Sequence, residues 1–303
     1  MGEFELIDAI VEQLGSASRG SQVVVGPGDD AAVVAVPAGH HLVTSVDTLV
    51  SDLHFPADAP ARLIAERALR VSVSDIAAMG AQPLAAVVAL ALPKSTTASW
   101  VRALSAGFSQ AAKALGCPVT GGNLTSGQLS ISVTVQGVVP EGQALLRSGA
   151  LPGHEVWVTG ALGGAALSLS QSGLARVLAD GSDLSAPQRC YYLPEPQLSV
   201  GVGLRGHASS AIDISDGLAA DLDHIAQHSQ VSVRLHAADI PCFEGATLEH
   251  ALHGGDDYML CFTAPAESAR EMRSLAPGAQ CIGLCVEQAA VRLSLDGQPL
   301  EAR

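Results

Sequence analysis

Apolar residues recur at helical spacing from the first residues of the chain. Leu6, Ile7, Ile10, Val11 and Leu14 share one face of a helix predicted over Glu5–Leu14. The texture then shortens, and strands are predicted at Ala31–Val36 and Leu42–Val46. Asp58-Ala59-Pro60 has the form of a helix start, a capping residue followed by an early proline. That helix is predicted through Arg62–Leu69 and, after a break, Ser74–Met79. Leu84–Leu92 is an unbroken apolar strand and Trp100–Leu115 a helix. Leu129, Ile131, Val133 and Val135 alternate with Ser130, Ser132, Thr134 and Gln136, the pattern of a strand with one face covered.

Turn residues then collect in Arg147-Ser-Gly-Ala-Leu-Pro-Gly153, and a domain boundary is predicted there, giving domains 1–147 and 148–303. A chain of 303 residues is long enough for two at about 150 each. The second half alternates again: strand Glu155–Thr159, helices Gly164–Ser172 and Gln197–Leu204, strand Ala211–Ile214, helix Leu218–His228, strand Val231–Leu235, helix Thr247–His253, strand Tyr258–Thr263 and helix Glu267–Ser274.

Charge narrows the function. Sixteen basic residues face thirty acidic ones, a formal charge of −14, so no basic stripe exists for nucleic acid. The two lysines, Lys94 and Lys113, lie outside any Walker A pattern. Metal ions and backbone amides would therefore have to do much of the neutralising of a polyphosphate. No apolar run approaches the ~18–20 residues of a membrane helix. The acidic start, MGEFELIDAIVEQLG, does not read as a signal peptide. Six cysteines without a C-x-x-C read as buried, inert thiols of a cytoplasmic protein.

The remaining chemistry is carboxylate. Aspartates sit in Gly/Ser/Thr-rich corners after apolar runs: Asp29-Asp30, Asp47, Asp75, Asp213 with Asp216, and Asp256-Asp257. One such residue is an ordinary turn or cap. Asp75 stands out, because it lies within a largely apolar helical stretch where an unpaired carboxylate is expensive. Carboxylates that converge need divalent cations between them, which points to Mg²⁺ and a phosphorylated substrate. In Asp213-Ile-Ser215-Asp216-Gly217, Ser215 or Asp216 can cap the following helix, and the same corner can face an anion or a metal. Gly121-Gly122-Asn123-Leu-Thr-Ser-Gly127 reads as a turn or a phosphate-cradling loop. Gly201-Val-Gly203-Leu-Arg-Gly206 follows a helix rather than a strand and is rejected as a dinucleotide fingerprint. His54 lies near the Asp47 corner, and Arg147 is a surface residue or a phosphate clamp. No nucleophile elbow or catalytic cysteine signature occurs, so a nucleophilic hydrolase is unsupported.

Taken in order, GEFELI, GPGDDAAV, TSVDTLVSDLHF, ALRVSVSDIAAMGAQP, GGNLTSG, LRSGALPG, AIDISDGLAADLDHI and GGDDYMLCFT resemble the thiamine-monophosphate kinases, of the superfamily that includes aminoimidazole ribonucleotide synthetase. The resemblance implies an α+β fold of two domains. The N-terminal domain would pair with that of a second chain into a dimeric β-barrel, and the C-terminal domain would be an α/β sandwich. It implies Mg²⁺- and ATP-dependent phosphorylation of thiamine monophosphate to thiamine diphosphate without a covalent intermediate. Carried onto this chain, Asp30, Ser45, Asp47, Asp75, Asn123, Asp213 and Asp216 would bind metal. Gly122, Arg147 and Ser215 would contact ATP, and His54 and Asp256 the acceptor. Val46, Asn123, Leu124 and Met259 replace residues the family commonly carries, and a family tail with an aromatic residue is absent at the C-terminus. Two alternatives stay open: a nucleotide-binding homologue with impaired turnover and a regulatory role, or a sister ATP-dependent enzyme with another substrate.

Overall fold

A computed structural model describes residues 3–171 and 183–302. Its chain groups into two units. One holds residues 3–76, 82–140 and 183–185, and the other holds 77–81, 141–171 and 186–302.

The first unit opens with α1 (Glu3–Leu14), β1 (Val23–Val25) and β2 (Val33–Val34). Then come β3 (His40–Val50), α2 (Ala61–Ala78), β4 (Gln82–Leu92), α3 (Ala98–Leu115), β5 (Val119–Ser126) and β6 (Ser130–Pro140). A four-stranded sheet runs β3-β6-β4-β5, antiparallel except for the parallel pair β4/β5 joined through α3. Ile131, Val133 and Val135 of β6 are fully buried while the residues between them are half-buried, as their alternation predicts.

Three expectations change here. The helix expected to break before Ser74 is continuous from Ala61 to Ala78, and at the expected break the Ser72 hydroxyl donates to the Ala68 carbonyl at 3.0 Å. Strand Ala31–Val36 shrinks to two residues, and Leu42–Val46 lengthens to eleven. The glycine-rich segment 121–127, expected as a loop, is mostly edge strand: Gly122 lies so close to β4 that a Cβ there would stand 1.9 Å from the Val88 carbonyl oxygen.

The second unit contains β7 (His154–Val158), α4 (Gly164–Ser170), α5 (Ala186–Tyr192), α6 (Leu198–Gly203), β8 (Ser210–Asp213), α7 (Leu218–Ser229) and β9 (Ser232–Leu235). It continues with α8 (Leu248–His253), β10 (Leu260–Pro265), α9 (Ala269–Leu275), β11 (Gln280–Val286), β12 (Leu293–Leu295) and β13 (Gln298–Pro299). The last expected residue of the first helix here, Ser172, lies outside the described residues. The strands form one sheet in the order β13-β12-β9-β11-β7-β10-β8. Alternation along β7 divides its side chains. Val156 and Val158 join a core with Leu218, Leu222 and Ile225 of α7, and Trp157 joins another with Phe262, Leu204 and Met272 of α9. Helices thus cover both faces of the sheet, the layered α/β arrangement expected. Gly201 lies within α6, in keeping with its rejection as a dinucleotide loop.

Candidate functional site

In the first unit β3 and α2 bring three expected residues together. Register pairs Ser45 with Val135 and Asp47 with Val133, so both point to the covered face of the sheet. There the Ser45 hydroxyl donates a short hydrogen bond to Asp75 Oδ2, which holds α2 against β3. Asp47 and Asp75 lie within electrostatic reach of each other. Burial and the Asp75 charge push the Asp47 carboxyl above its usual range, and the Ser72 hydroxyl partly opposes them. Two carboxylates held so favour a cation between or beside them.

The other expected residues of this unit are placed separately. Asp30 is exposed on the segment after β1, its N–H donating to Asp29 Oδ1 at 2.9 Å. His54 is exposed just beyond β3, and its Nδ1 accepts the Val50 N–H at 3.0 Å. With Nδ1 accepting, a neutral ring carries its proton on Nε2. Gly122 pairs with Val88 on the Asp47 face, whereas Asn123 pairs with Ala89 and shares the opposite face with Val46.

The second unit builds a tight corner from two segments. Asp213 ends β8 and is buried, whereas Asp216 is exposed on the turn into α7. Segment 255–258 lies against this turn. The Asp256 N–H donates to the Ser215 carbonyl and the Tyr258 N–H to the Ile214 carbonyl, both at 2.8 Å. A Cβ on Gly255 would stand 2.5 Å from the Ser215 carbonyl oxygen, so glycine is required there. Asp256 and Tyr258 both have positive φ, 59° and 52°, a strained conformation for a bulky aromatic. The Tyr258 hydroxyl donates to Asp256 Oδ1 at 2.8 Å and fixes that side chain. Arg147 is exposed. Its carbonyl accepts the Ser229 hydroxyl, and the neighbouring Leu146 carbonyl accepts the Ala211 N–H of β8.

The helix cap differs from expectation. Neither Ser215 nor Asp216 caps α7; Gly217 is the N-cap and no side chain bonds from it. The backbone N–H groups of Ser215, Asp216 and Gly217 all donate to Asp221 Oδ2, at 2.9, 3.0 and 3.2 Å. Asp221 was not singled out in the sequence, yet it carries the signal that exposed Asp75. It lies on the apolar face of its helix with Leu218 and Ile225. Asp257, of the acidic corner read in the sequence, is a second buried aspartate held by backbone amides. Both its oxygens accept the Gly163 N–H, at 2.8 and 3.0 Å, at the start of α4. Burial pushes it up to about 7, Asp256 adds to this, and the backbone bonds from Gly163 and Gly164 oppose it.

These donors fit Mg²⁺, a hard ion that takes oxygen ligands and commonly binds through one or two carboxylates with phosphate oxygens completing its shell. Among the described residues no three His, Cys, Asp or Glu side chains form a cluster that could hold a metal ion without such help. The thiols offer no alternative. Cys117, Cys261 and Cys285 are buried, and Cys190, Cys242 and Cys281 are partly exposed, more than expected. Burial raises the pKa of all six. No described helix is long and apolar enough to cross a membrane.

Comparison with known proteins agrees with this picture. The family model of the AIR synthase related protein, N-terminal domain, matches residues 28–139, and that of the C-terminal domain matches 151–295. A thiamine-monophosphate kinase of Haemophilus influenzae is 34% identical over 99% of this chain and 95% of its own. The crystal structure of a thiamine-monophosphate kinase from Stenotrophomonas maltophilia is 37% identical, superposes with a TM-score of 0.86, and covers 99% of this chain and 98% of its own. A structure of AaThiL complexed with AMPPCP and TMP is 28% identical with a TM-score of 0.76, over 99% of this chain and 95% of its own.

Proposed function

The chain belongs to the thiamine-monophosphate kinase family, and from that premise we propose that it transfers the γ-phosphoryl group of ATP to the phosphate of thiamine monophosphate. An oxygen of the acceptor phosphate attacks Pγ, the bond from Pγ to the bridging oxygen of the β-phosphate breaks, and ADP leaves with that oxygen. The product is thiamine diphosphate. The acceptor phosphate is largely ionised at neutral pH, so no side chain need remove a proton from it. The difficulty is charge: two polyanions must meet on a chain of formal charge −14 that has two lysines. Phosphoryl transfer asks the protein mainly for positioning and neutralisation.

The observation that carries this reading is the Asp47–Asp75 pair with Ser45, held by β3 and α2. Within the first unit Asp47, Asp75 and Ser45 would hold Mg²⁺, with Asp30 as a further oxygen donor, whereas Asn123 lies on the opposite face of the sheet from Asp47 and would not join them; within the second unit Asp213 and Asp216 would hold Mg²⁺. Bound there, Mg²⁺ supplies positive charge to the phosphate oxygens. Gly122 in the first unit, and Ser215 and Arg147 in the second, would be ATP contacts, Arg147 with a guanidinium suited to paired phosphate oxygens. His54 in the first unit and Asp256 in the second, the latter fixed by Tyr258, would be acceptor contacts.

The chain would act as a homodimer through the open face of the first sheet, where Leu42, Val46 and Val87 are 47%, 60% and 39% exposed. Six thiols without a disulfide suit a cytoplasmic location. The test is the purified protein with ATP, Mg²⁺ and thiamine monophosphate, followed for thiamine diphosphate and ADP in equal amounts. Mg²⁺-dependent ATP binding without product would overturn the kinase reading in favour of a nucleotide-binding regulatory homologue. ADP without thiamine diphosphate would point to another acceptor.

A further inference from the structure

Three consecutive backbone N–H groups that converge on one point make an anion nest. At Ser215, Asp216 and Gly217 that nest is already filled, by Oδ2 of Asp221 at 2.9–3.2 Å. Asp221 is 3% exposed and reaches back from the first turn of α7, whose positive end favours its charge. Its own N–H donates to the Gly217 carbonyl at 3.0 Å, which closes the loop on both sides. The far side of the turn is pinned as well, since the Asp256 N–H holds the Ser215 carbonyl.

From this we infer that Asp221 is a positioning residue, an internal anion that occupies the nest and thereby commits the 213–217 corner to metal rather than to phosphate. The inference rests on the metal-dependent kinase reading and sharpens it. The amides of residues 215–217 are unavailable to a nucleotide, so Ser215 can reach one only through its hydroxyl. The corner carries two carboxylates, Asp216 exposed on the turn and Asp213 buried at the strand end. Holding the turn from beneath by three charge-assisted bonds fixes where those carboxylates point. Supporting partners of this kind are worth about 10–100-fold in metal affinity.

The test removes the internal anion and supplies another. In Asp221→Ala the turn loses its acceptor while Asp213 and Asp216 remain. The Mg²⁺ concentration needed for half-maximal binding of a non-hydrolysable ATP analogue is expected to rise about 10-fold or more. Asp221→Asn keeps a side-chain oxygen in the nest and is expected to recover most of that loss. Sodium formate, a carboxylate small enough for the vacated space, is expected to lower the Mg²⁺ requirement of Asp221→Ala and leave the parent unchanged. Amide hydrogen exchange at residues 215–217, measured without nucleotide, is expected to speed up in Asp221→Ala and slow again with formate.

An Asp221→Ala protein that is folded and has the parent's Mg²⁺ requirement overturns the inference. So does an Asn variant as impaired as the Ala variant, since its side-chain oxygen would still fill the nest. If Asp221→Ala does not fold, the Asn variant decides: a Mg²⁺ requirement raised about 10-fold or more would count against the inference. The exchange measurement separates the two levels. A parent that binds no Mg²⁺-nucleotide but shows protected amides at 215–217 would end the kinase reading, while unprotected amides in the parent would end the role given to Asp221.

Discussion

Asp75 is costly where it stands and useful for the same reason. Its carboxylate faces Asp47 from an apolar helix, and the charge of each raises the cost of the other. Asp75→Asn keeps an oxygen for the Ser45 hydroxyl and removes one of the two charges. The apo-protein is therefore expected to unfold at the parent's temperature or slightly above it, while turnover falls by about 10²–10³-fold. Paired melting and product assays check this, and retained turnover would remove the metal role. Asp257 makes a separate prediction in pH. Its ordinary value is 3.8, and burial holds it near 7 in the folded chain. The folded state thus binds the proton more tightly than the unfolded state. The stabilisation is full below the unfolded value and is lost as pH rises through about 7. Asp257→Asn cannot titrate, so the melting temperature of the parent should decline relative to that of the variant between about pH 4 and pH 7.5. Parallel curves over that window would show that Asp257 is already ionised when folded.

At the level of elements, β5 shows what a strand can require of a glycine. A Cβ at Gly122 would meet the Val88 carbonyl oxygen at 1.9 Å, and backbone on both sides cannot yield. Gly122→Ala should cost about 1–3 kcal/mol or more by forcing β5 off β4. Gly121→Ala, whose nearest neighbour is Val87 Cγ1 at 3.9 Å, should be tolerated. Denaturant unfolding of the pair decides it, and equal stabilities would mean that β5 can slide on its neighbour. The same glycines explain why this strand was illegible in the sequence, since Gly121, Gly122, Asn123 and Gly127 have the composition of a loop. β11 was hidden similarly: Gly283 interrupts it because a side chain there would stand 2.2 Å from the Arg234 carbonyl oxygen. Where periodicity was uninterrupted, as in α1, α3, α7 and β6, the elements were readable to within a few residues. The acidic corners were readable as corners, because a carboxylate in an apolar setting is conspicuous. What fills the nest at 215–217 was not, because a capping role was assigned to the residues nearest the turn rather than to one a helical turn further on.

For the whole molecule the charge sets a condition on assembly. Two chains of formal charge −14 repel, so a homodimer needs a contact that does not depend on ion pairs. The open face of the first sheet offers one: Val46, Thr134 and Val87 stand in register across β3, β6 and β4, with Val46 and Val87 exposed. Val87→Asp places a charge in that row at a position that is not part of the buried core. It is expected to keep the parent's melting behaviour as a monomer and to sediment at half the parent's mass. Salt discriminates further. Screening weakens the repulsion between the two chains and leaves apolar burial in place, so dimerisation of the parent should hold or tighten between about 0.05 M and 0.5 M NaCl. Loosening over that range would mean that opposite charges join the chains, and a Val87→Asp protein that remains a dimer would place the contact on another face.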